Sequence, residues 1–294
     1  MGILPILIGW PLLIAAIVPL IKQERIRGYV VYAGAGGVMV LATALLGMWL
    51  TNGAQAMAFY QETEWVNYLM IAGELFLTGL IVYLSIKYRK YPVILLSVGQ
   101  TALGIWTEFR FPMQPACHMQ IDSLSMLMCM IAAFIGGLIC IYAVGYMKAY
   151  HQHHKEFQDR SGFFFSMLFL FLAAMFGLVL SENLIWMYFF WEVTSVISFL
   201  LIGYTRTEEA VNNSFRALWM NLVGGFGFAI AIAVAAATLG TVQLEAVVQT
   251  GAVIPVALLA LAGLTKSAQL PFSSWLLGAM VAPTPSSALL HSAT

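Results

Sequence analysis

The feature that most constrains this chain is a series of apolar runs, each about as long as a membrane-crossing helix. A helix needs about 20 mainly apolar residues to span the hydrocarbon core of a bilayer. Nine complete runs lie at 3–21, 29–50, 67–86, 92–108, 122–146, 162–181, 183–203, 211–238 and 252–280, and a tenth begins near residue 284. The sequence therefore predicts an all-α, polytopic integral membrane protein with about ten transmembrane helices.

The composition excludes several classes of protein. Only 9% of the residues are charged, against about 25% in soluble domains. The 13 basic and 13 acidic residues cancel, so no basic surface is available for nucleic acid. Cys117, Cys129 and Cys140 form no CxxC pair and no metal-ligand spacing, so we expect no metal or iron–sulfur site in this chain.

Basic residues predict the orientation, because Lys and Arg collect in cytoplasmic loops. The basic loop residues fall between the first and second, third and fourth, fifth and sixth, and seventh and eighth runs, with Arg110 as the single exception on the opposite side. The residues concerned are Lys22, Arg25, Arg27, Lys87, Arg89, Lys90, Lys148, Lys155, Arg160 and Arg206. We therefore expect the N-terminus outside, with these loops on the cytoplasmic side.

Two polar segments lie between the runs. Residues 109–120, which include Pro112 and Pro115, are too polar to cross a bilayer and are predicted to form an external loop. The histidine-rich stretch 151–154 is predicted to be a solvated loop rather than a metal site, because its neighbours are charged and no matching ligands accompany it.

Four charged residues interrupt the apolar runs: Glu74, Glu192, Arg216 and Lys266. Each costs about 3 kcal/mol at the bilayer centre on insertion scales, so each needs a physical reason. Glu192 lies near the middle of its run with no basic residue one turn away, so its partner must come from another helix. A transport role and a structural ion pair both fit this pattern.

Three hydroxyl residues follow Glu192 on the same run, namely Thr194, Ser195 and Ser198. Their side chains are predicted to hold water or relay hydrogen bonds to the carboxylate.

Lys266 precedes a predicted helix break. Pro271 lacks a backbone donor and clashes with the carbonyl of Ser267, which places the break about one turn after the lysine. Broken helices at membrane depth line a polar cavity or are packed by protein. A buried lysine in that setting can change its protonation state, although Pro271 could also mark a simple kink.

The remaining candidates have weaker support. Arg216 is either a fixed counter-charge for Glu192 or a side chain that snorkels to the interface. His291 is a possible proton relay or a structural histidine. Glu74 lies near the middle of its run without a companion motif.

Three motifs carry a resemblance to a known family. They are Phe190-Trp191-Glu192-Val193-Thr194-Ser195, Lys266-Ser267-Ala268-Gln269-Leu270-Pro271-Phe272 and Ala282-Pro283-Thr284-Pro285, which leads to His291. Together they resemble the antiporter-like membrane subunits of complex I and Mrp antiporters. The sequence around Pro271 looks closest to that of the large membrane subunit of energy-converting (group 4) [NiFe] hydrogenases.

The resemblance implies a set of roles and boundaries. Glu192, Lys266 and His291 would belong to a proton half-channel, with Arg216 carried over more weakly. Residues 122–294 would form the first of two inverted five-helix repeats, truncated in its last helix. Residues 1–121 would add extra transmembrane helices and an external loop.

The leading functional interpretation is a proton- or sodium-translocating subunit of a redox-driven complex in the bacterial or archaeal cytoplasmic membrane, of the energy-converting hydrogenase kind. Its partners would be other membrane subunits and a peripheral hydrogenase and iron–sulfur module. The [NiFe] centre and the clusters would lie in those partners, with no cofactor in this chain. The alternatives are an Mrp-type cation/proton antiporter driven by ion gradients, and a passive membrane anchor.

Overall fold

A computed structural model describes residues 3–59, 64–111 and 117–293 of the chain. The middle of the predicted external loop, with Pro112 and Pro115, lies outside the described residues. The helices are α1 Ile3–Ile17, α2 Glu24–Thr51, α3 Glu64–Lys87, α4 Tyr91–Arg110, α5 Ser123–His153, α6 Ser161–Leu180, α7 Leu184–Ile202, α8 Glu208–Leu239, α9 Leu244–Gln249, α10 Val253–Lys266, α11 Ser274–Gly278 and α12 Thr284–Ala293. Two short 3₁₀ turns, Val18–Leu20 and Ala279–Val281, and two strands, β1 Met57–Phe59 and β2 Met119–Ile121, complete the described elements.

Seven helices within the described residues are long and apolar enough to cross a membrane. They are α1 with its 3₁₀ turn, α2, α3, α5, α6, α7 and α8. The prediction of a multi-pass membrane protein is therefore confirmed, whereas the count of ten spans is not. Helix α4 has 20 residues but carries a stripe of polar side chains, and α10 is only 14 residues long.

The helices pack in two groups. In the first, α1 packs against α6 and α2 packs against α5, around a core of Leu, Ala and Phe side chains. In the second, the α3–α4 hairpin packs against α7 and α8, and α10 also packs against α8. Helix α7 contacts both groups, because it packs against α6 as well as α8.

Helix α10 ends at Lys266 itself, one turn earlier than predicted. The N–H of Ala268 donates to the carbonyl of Thr265 (3.3 Å), and the N–H of Gln269 donates to that of Leu264 (3.0 Å). Ala268 has a φ of 54°, so these bonds form the left-handed closure known as a Schellman motif. The left-handed turn therefore ends the helix, and Pro271 lies further along the non-helical link to α11.

The two ends of the bundle differ in character. At one end, β1 and β2 form an antiparallel ribbon next to the start of α7. We call this the ribbon end. Phe111, just after α4, packs against the core cluster that includes Leu184 and Val242. The predicted loop 109–120 is thus shorter than expected, because α4 continues to Arg110 and β2 begins at Met119.

The opposite end gathers the basic loops, as their distribution in the sequence predicts. Lys87, Arg160 and Arg206 line one cavity there. Helix α5 continues to His153, so part of the histidine stretch is helical rather than loop. His151 lies 3.0 Å from the Tyr204 hydroxyl. The side of the membrane that this end faces stays a prediction.

Candidate functional site

Helix α7 places Glu192 at the centre of the bundle. Residues on all sides of α7 are buried, because α3, α6 and α8 surround it. A helix that is covered all round is typical of a protein interior. Glu192 itself is only 3% exposed, so its carboxylate depends on protein groups for its hydrogen bonds.

The hydrogen-bond partner of Glu192 is a glutamine that the sequence pattern did not identify. Gln100 of α4, 1% exposed, donates from Nε2 to Glu192 Oε2 at 2.8 Å. The other carboxylate oxygen, Glu192 Oε1, has no hydrogen-bond partner among the described residues, and neither does Gln100 Oε1. A Cβ placed on Gly225 of α8 would lie 2.5 Å from Glu192 Oε1 and 3.0 Å from Gln100 Oε1. Glycine at this position therefore makes the space for both acceptor oxygens.

The three hydroxyls that were predicted to serve the Glu192 carboxylate do not contact it. Thr194 and Ser195 donate to the carbonyl of Trp191 at 2.8 and 2.9 Å, and Ser198 donates to that of Thr194 at 2.7 Å. Ser and Thr within helices commonly bond back to carbonyls one turn earlier. The described residues therefore show no direct hydrogen bond from these hydroxyls to the carboxylate, and their role in holding water or relaying hydrogen bonds stays a prediction.

Lys266 reaches the same turn of α7 from the other side. Its Nζ donates to Ser195 Oγ at 2.8 Å and to the Trp191 carbonyl at 3.4 Å, and it lies 5.1 Å from the centre of the Trp191 ring. The aromatic face and the C-terminal end of α10 both favour a cation. Lys266 is 7% exposed, so these groups replace water around the ammonium.

Helix α8 allows this close approach of α10. A Cβ on Gly224 would overlap the hydroxyl of Thr265, the residue before Lys266. Gly224 thus allows α10 to pack closely against α8, and the adjacent Gly225 allows the Glu192 carboxylate to do the same.

Glu192 and Lys266 lie in one site but do not form a direct ion pair. No carboxylate oxygen of the described residues lies within 4.0 Å of Lys266 Nζ. The two charges still interact electrostatically. Ser195, three residues after Glu192, supplies the hydroxyl that holds the ammonium. A buried acid and a buried base on neighbouring helices can hold and exchange a positive charge, and this is the chemistry of the site.

The structure does not bring the other predicted residues to this pair. Arg216 is exposed on α8 and lines a cavity with Arg89 and Lys90 at the basic end. His291 is exposed on α12, and no hydrogen bond or ion pair of a described residue links it to Lys266. Pro271 is exposed in the link between α10 and α11.

Glu74, which had no companion in the sequence, lies near the site. Its carboxyl oxygen Oε1 is buried beside Gly104 of α4, and the group interacts electrostatically with Glu192. Helix α4 thus contacts both carboxylates. The polar residues of α4 recur on one face of the helix, and this spacing was the sequence signal that could have identified Gln100 as a buried polar residue.

The fold and the site together define a class: a multi-pass membrane protein with an acid and a base buried between its helices. Sequence comparison then supplies the family. Residues 181–294 match the family described as "NADH:quinone oxidoreductase/Mrp antiporter, TM", and residues 106–157 match "NADH-Ubiquinone oxidoreductase (complex I), chain 5 N-terminus". These two segments are thus similar to the membrane subunits of complex I and Mrp antiporters.

Individual relatives agree with this family. The chain is 40% identical over 183 residues to the A1 subunit of an Na(+)/H(+) antiporter from Staphylococcus haemolyticus (strain JCSC1435), which covers 59% of this chain and 22% of that protein. It is 37% identical over 185 residues to a probable K(+)/H(+) antiporter subunit, of type A/B, from Rhizobium meliloti (strain 1021), covering 60% and 18% of the two chains. The chain therefore spans about a fifth of the length of these curated relatives.

Two solved structures share the fold. A chain of the Mrp complex from Dietzia sp. DQ12-45-1b superposes with a TM-score of 0.65 at 25% identity, over 98% of this chain and 26% of that chain. A chain of the membrane-bound sulfane sulfur reductase, an archaeal respiratory membrane complex, has a TM-score of 0.52 at 17% identity, over 76% and 49%. The named relatives support the antiporter alternative better than the hydrogenase interpretation.

Proposed function

We propose that this chain is an ion-translocating membrane subunit of an Mrp-type cation/proton antiporter, driven by ion gradients. The observation that carries the proposal is the buried group of Glu192, Ser195 and Lys266, which lies within the segment that matches the antiporter family. The relatives named as Na⁺/H⁺ and K⁺/H⁺ antiporter subunits support the choice of reaction.

The proposed mechanism couples the charge of Lys266 to the occupancy of Glu192. While Glu192 is anionic, its field stabilises the ammonium across the Ser195 hydroxyl. When Glu192 takes up a proton or an alkali cation, Lys266 is left as a buried cation without a compensating charge, which is costly in a low-dielectric interior. Lys266 then releases its proton, and recovery of a proton by Lys266 favours discharge of Glu192. His291 on α12 is the proposed next acceptor.

The other predictions from the sequence fit within this proposal. The partners are other membrane subunits, and the orientation places the basic loops in the cytoplasm. Residues 122–294 act as the translocating repeat, while residues 1–121 add helices to it. The redox-driven hydrogenase interpretation, with a [NiFe] centre and iron–sulfur clusters in partner subunits, stays a prediction that no relative above supports by name.

The test uses the intact multi-subunit complex in everted membrane vesicles. Acid loading is followed with a pH-sensitive dye, and Na⁺ or K⁺ is then added to start exchange. We expect Glu192→Gln and Lys266→Met to lower the exchange rate by about a hundredfold or more, the range for loss of a proton-transfer group. Glu209→Gln is the matched control, because Glu209 is exposed at the start of α8.

Assembly is checked by native electrophoresis, so that loss of exchange is separated from loss of the complex. Exchange at the wild-type rate in both site variants would support the passive-anchor interpretation and contradict the proposal. Exchange that appears only after an electron donor is added would favour the redox-driven alternative instead.

A further inference from the structure

The α3–α4 hairpin carries a buried polar seam that leads to Glu192, and the family matches begin only at residue 106 of this region. We infer that Glu108, Glu74 and Glu192 form a path for a monovalent cation, a proton or an alkali ion, from the ribbon end of the bundle to the Glu192 site. Gln100 and the hydroxyls of α3 and α4 line this path. The inference rests on the proposed function and adds a route of access to it.

Polar residues recur on one face of α4. Gln100 and Thr101 follow Ser97 by three and four residues, and Thr107 and Glu108 follow Gln100 and Thr101 by seven, which places all five on one side of a helix. The first four are at most 5% exposed. Apolar side chains cover the opposite side of α4, where Leu95 and Phe109 are 78% and 79% exposed. The helix thus turns its polar face inward and its apolar face outward, the reverse of a helix in a soluble protein.

Helix α3 completes the seam. The Thr78 and Thr101 hydroxyls lie 2.7 Å apart across the two helices. Glu74, one turn before Thr78, interacts electrostatically with both Glu192 and Glu108. A Cβ on Gly104 would lie 3.5 Å from Glu74 Oε1, so the carboxyl group packs directly against α4. Glu74 therefore lies between the two other carboxylates.

The seam contains buried acceptors that the described protein groups leave unpaired. The Oε1 atoms of Glu74, Gln100 and Glu192 and the hydroxyl of Ser97 have no hydrogen-bond partner among the described residues. Native structures pair most buried polar atoms, and polar residues that only glue membrane helices together bond to one another. Three of these four atoms are amide or carboxyl oxygens, which accept hydrogen bonds; a carboxyl oxygen donates only when it is protonated. The chemistry that suits them is a proton donor or a cation, and an anion is disfavoured.

The path has a defined outer end. Glu108 is part-exposed and lies two residues before the end of α4, which packs at the ribbon end through Phe111. From there the carboxylates lead inward along the hairpin to Gln100, whose amide already contacts Glu192. The seam thus joins a partly accessible carboxylate to the buried one.

The experiment measures cation/proton exchange in everted vesicles that contain the intact complex. We expect Glu74→Gln and Glu108→Gln to slow exchange by at least about tenfold, as for the loss of a proton-transfer group, while the complex assembles normally. Glu74→Asp keeps a carboxyl group at the seam and should restore most of the rate. Glu209→Gln again serves as the control for a change of Glu to Gln.

The outcomes separate this inference from the proposed function. Wild-type exchange in Glu74→Gln, together with loss of exchange in Glu192→Gln, would overturn the path and leave the proposed function intact. Wild-type exchange in Glu192→Gln and Lys266→Met would overturn the proposed function itself. If Glu74→Gln does not assemble, the isosteric Thr101→Val removes one hydroxyl of the seam, and an unchanged rate in that variant overturns the path.

Discussion

Substitution of Gly225 by alanine is the sharpest test of the geometry around Glu192. The new Cβ would lie 2.5 Å from Glu192 Oε1, whereas carbon and oxygen atoms in close contact are about 3.3 to 3.6 Å apart. The carboxylate must therefore move by about 0.8 Å or more to reach that contact range. The hydrogen bond from Gln100, at 2.8 Å, would then exceed the usual limit of about 3.2 Å.

The expected effect on transport follows from the loss of that bond. A hydrogen bond to a charged group contributes about 1.5–3 kcal/mol, and each 1.36 kcal/mol on a barrier corresponds to about tenfold in rate. We therefore expect Gly225→Ala to slow cation/proton exchange in vesicles by roughly ten- to a hundredfold. Alanine gains about 1 kcal/mol in helix propensity over glycine, which offsets only part of the lost hydrogen bond, so we expect a net loss of stability of about 0.5–2 kcal/mol.

A glycine two residues further along α8 provides the control. A Cβ on Gly227 would meet nothing closer than the Leu258 carbonyl at 3.8 Å, which is an ordinary contact. Gly227→Ala should exchange ions at the wild-type rate and melt at the same or a higher temperature. Equal exchange rates in the Gly225 and Gly227 variants would refute the reasoning, because only the Cβ at position 225 would clash with Glu192.

Two further predictions concern hydroxyl and carboxyl groups. Ser195→Ala removes the 2.8 Å acceptor of Lys266 and should slow exchange by about tenfold, since hydrogen bonds to charged groups contribute about 1.5–3 kcal/mol. The Ser198 hydroxyl bonds only to its own helix, so Ser198→Ala should exchange ions at the wild-type rate. Equal rates in the two variants would contradict the role assigned to Ser195. In the loop before α6, burial raises the pKa of Asp159, but hydrogen bonds from the Ser161 hydroxyl and N–H outweigh it and hold that pKa below its usual range. The stabilisation by Asp159 is therefore present above the ordinary aspartate pKa of about 3.9 and is lost as the pH falls through the lowered value. The melting temperature of the detergent-solubilised complex can be measured from pH 6 to pH 3, in steps of about one unit. It should fall less with acidification in Asp159→Asn than in the wild type. Parallel curves of melting temperature against pH would contradict this reasoning.

The sequence predicted the helical membrane class and the two ionisable residues of the site well, because both depend on local patterns. Apolar runs are long and continuous, and their limits mostly fall within a few residues of the helices. A lone carboxylate and a lone lysine inside such runs are conspicuous, so Glu192 and Lys266 could be selected from the sequence alone. Their shared location confirms only their proximity, and their roles stay proposals.

The partners of those two residues could not be predicted, because they depend on tertiary packing. Gln100 is 92 positions away from Glu192 along the chain; the polar face of α4 marks Gln100 as an inward-facing residue, but nothing local pairs it with Glu192. Ser195 was predicted to serve the carboxylate but instead holds the ammonium. The end of α10 was placed at Pro271, because a proline is visible in a sequence, whereas the left-handed conformation of Ala268 is not.

The position of Gln100 also explains how family motifs and the rest of the chain share the site. Glu192, Gly225 and Lys266 all lie within the segment that matches the antiporter family, whereas Gln100 and Glu74 lie before residue 106, outside both matched segments. The acid and the base thus lie in the segment that matches the family, but the amide that orients the acid comes from the α3–α4 hairpin. Because a carboxylate with one oxygen fixed by an amide presents the other oxygen in a defined direction, the hairpin would set which side of Glu192 receives the ion in the proposed mechanism.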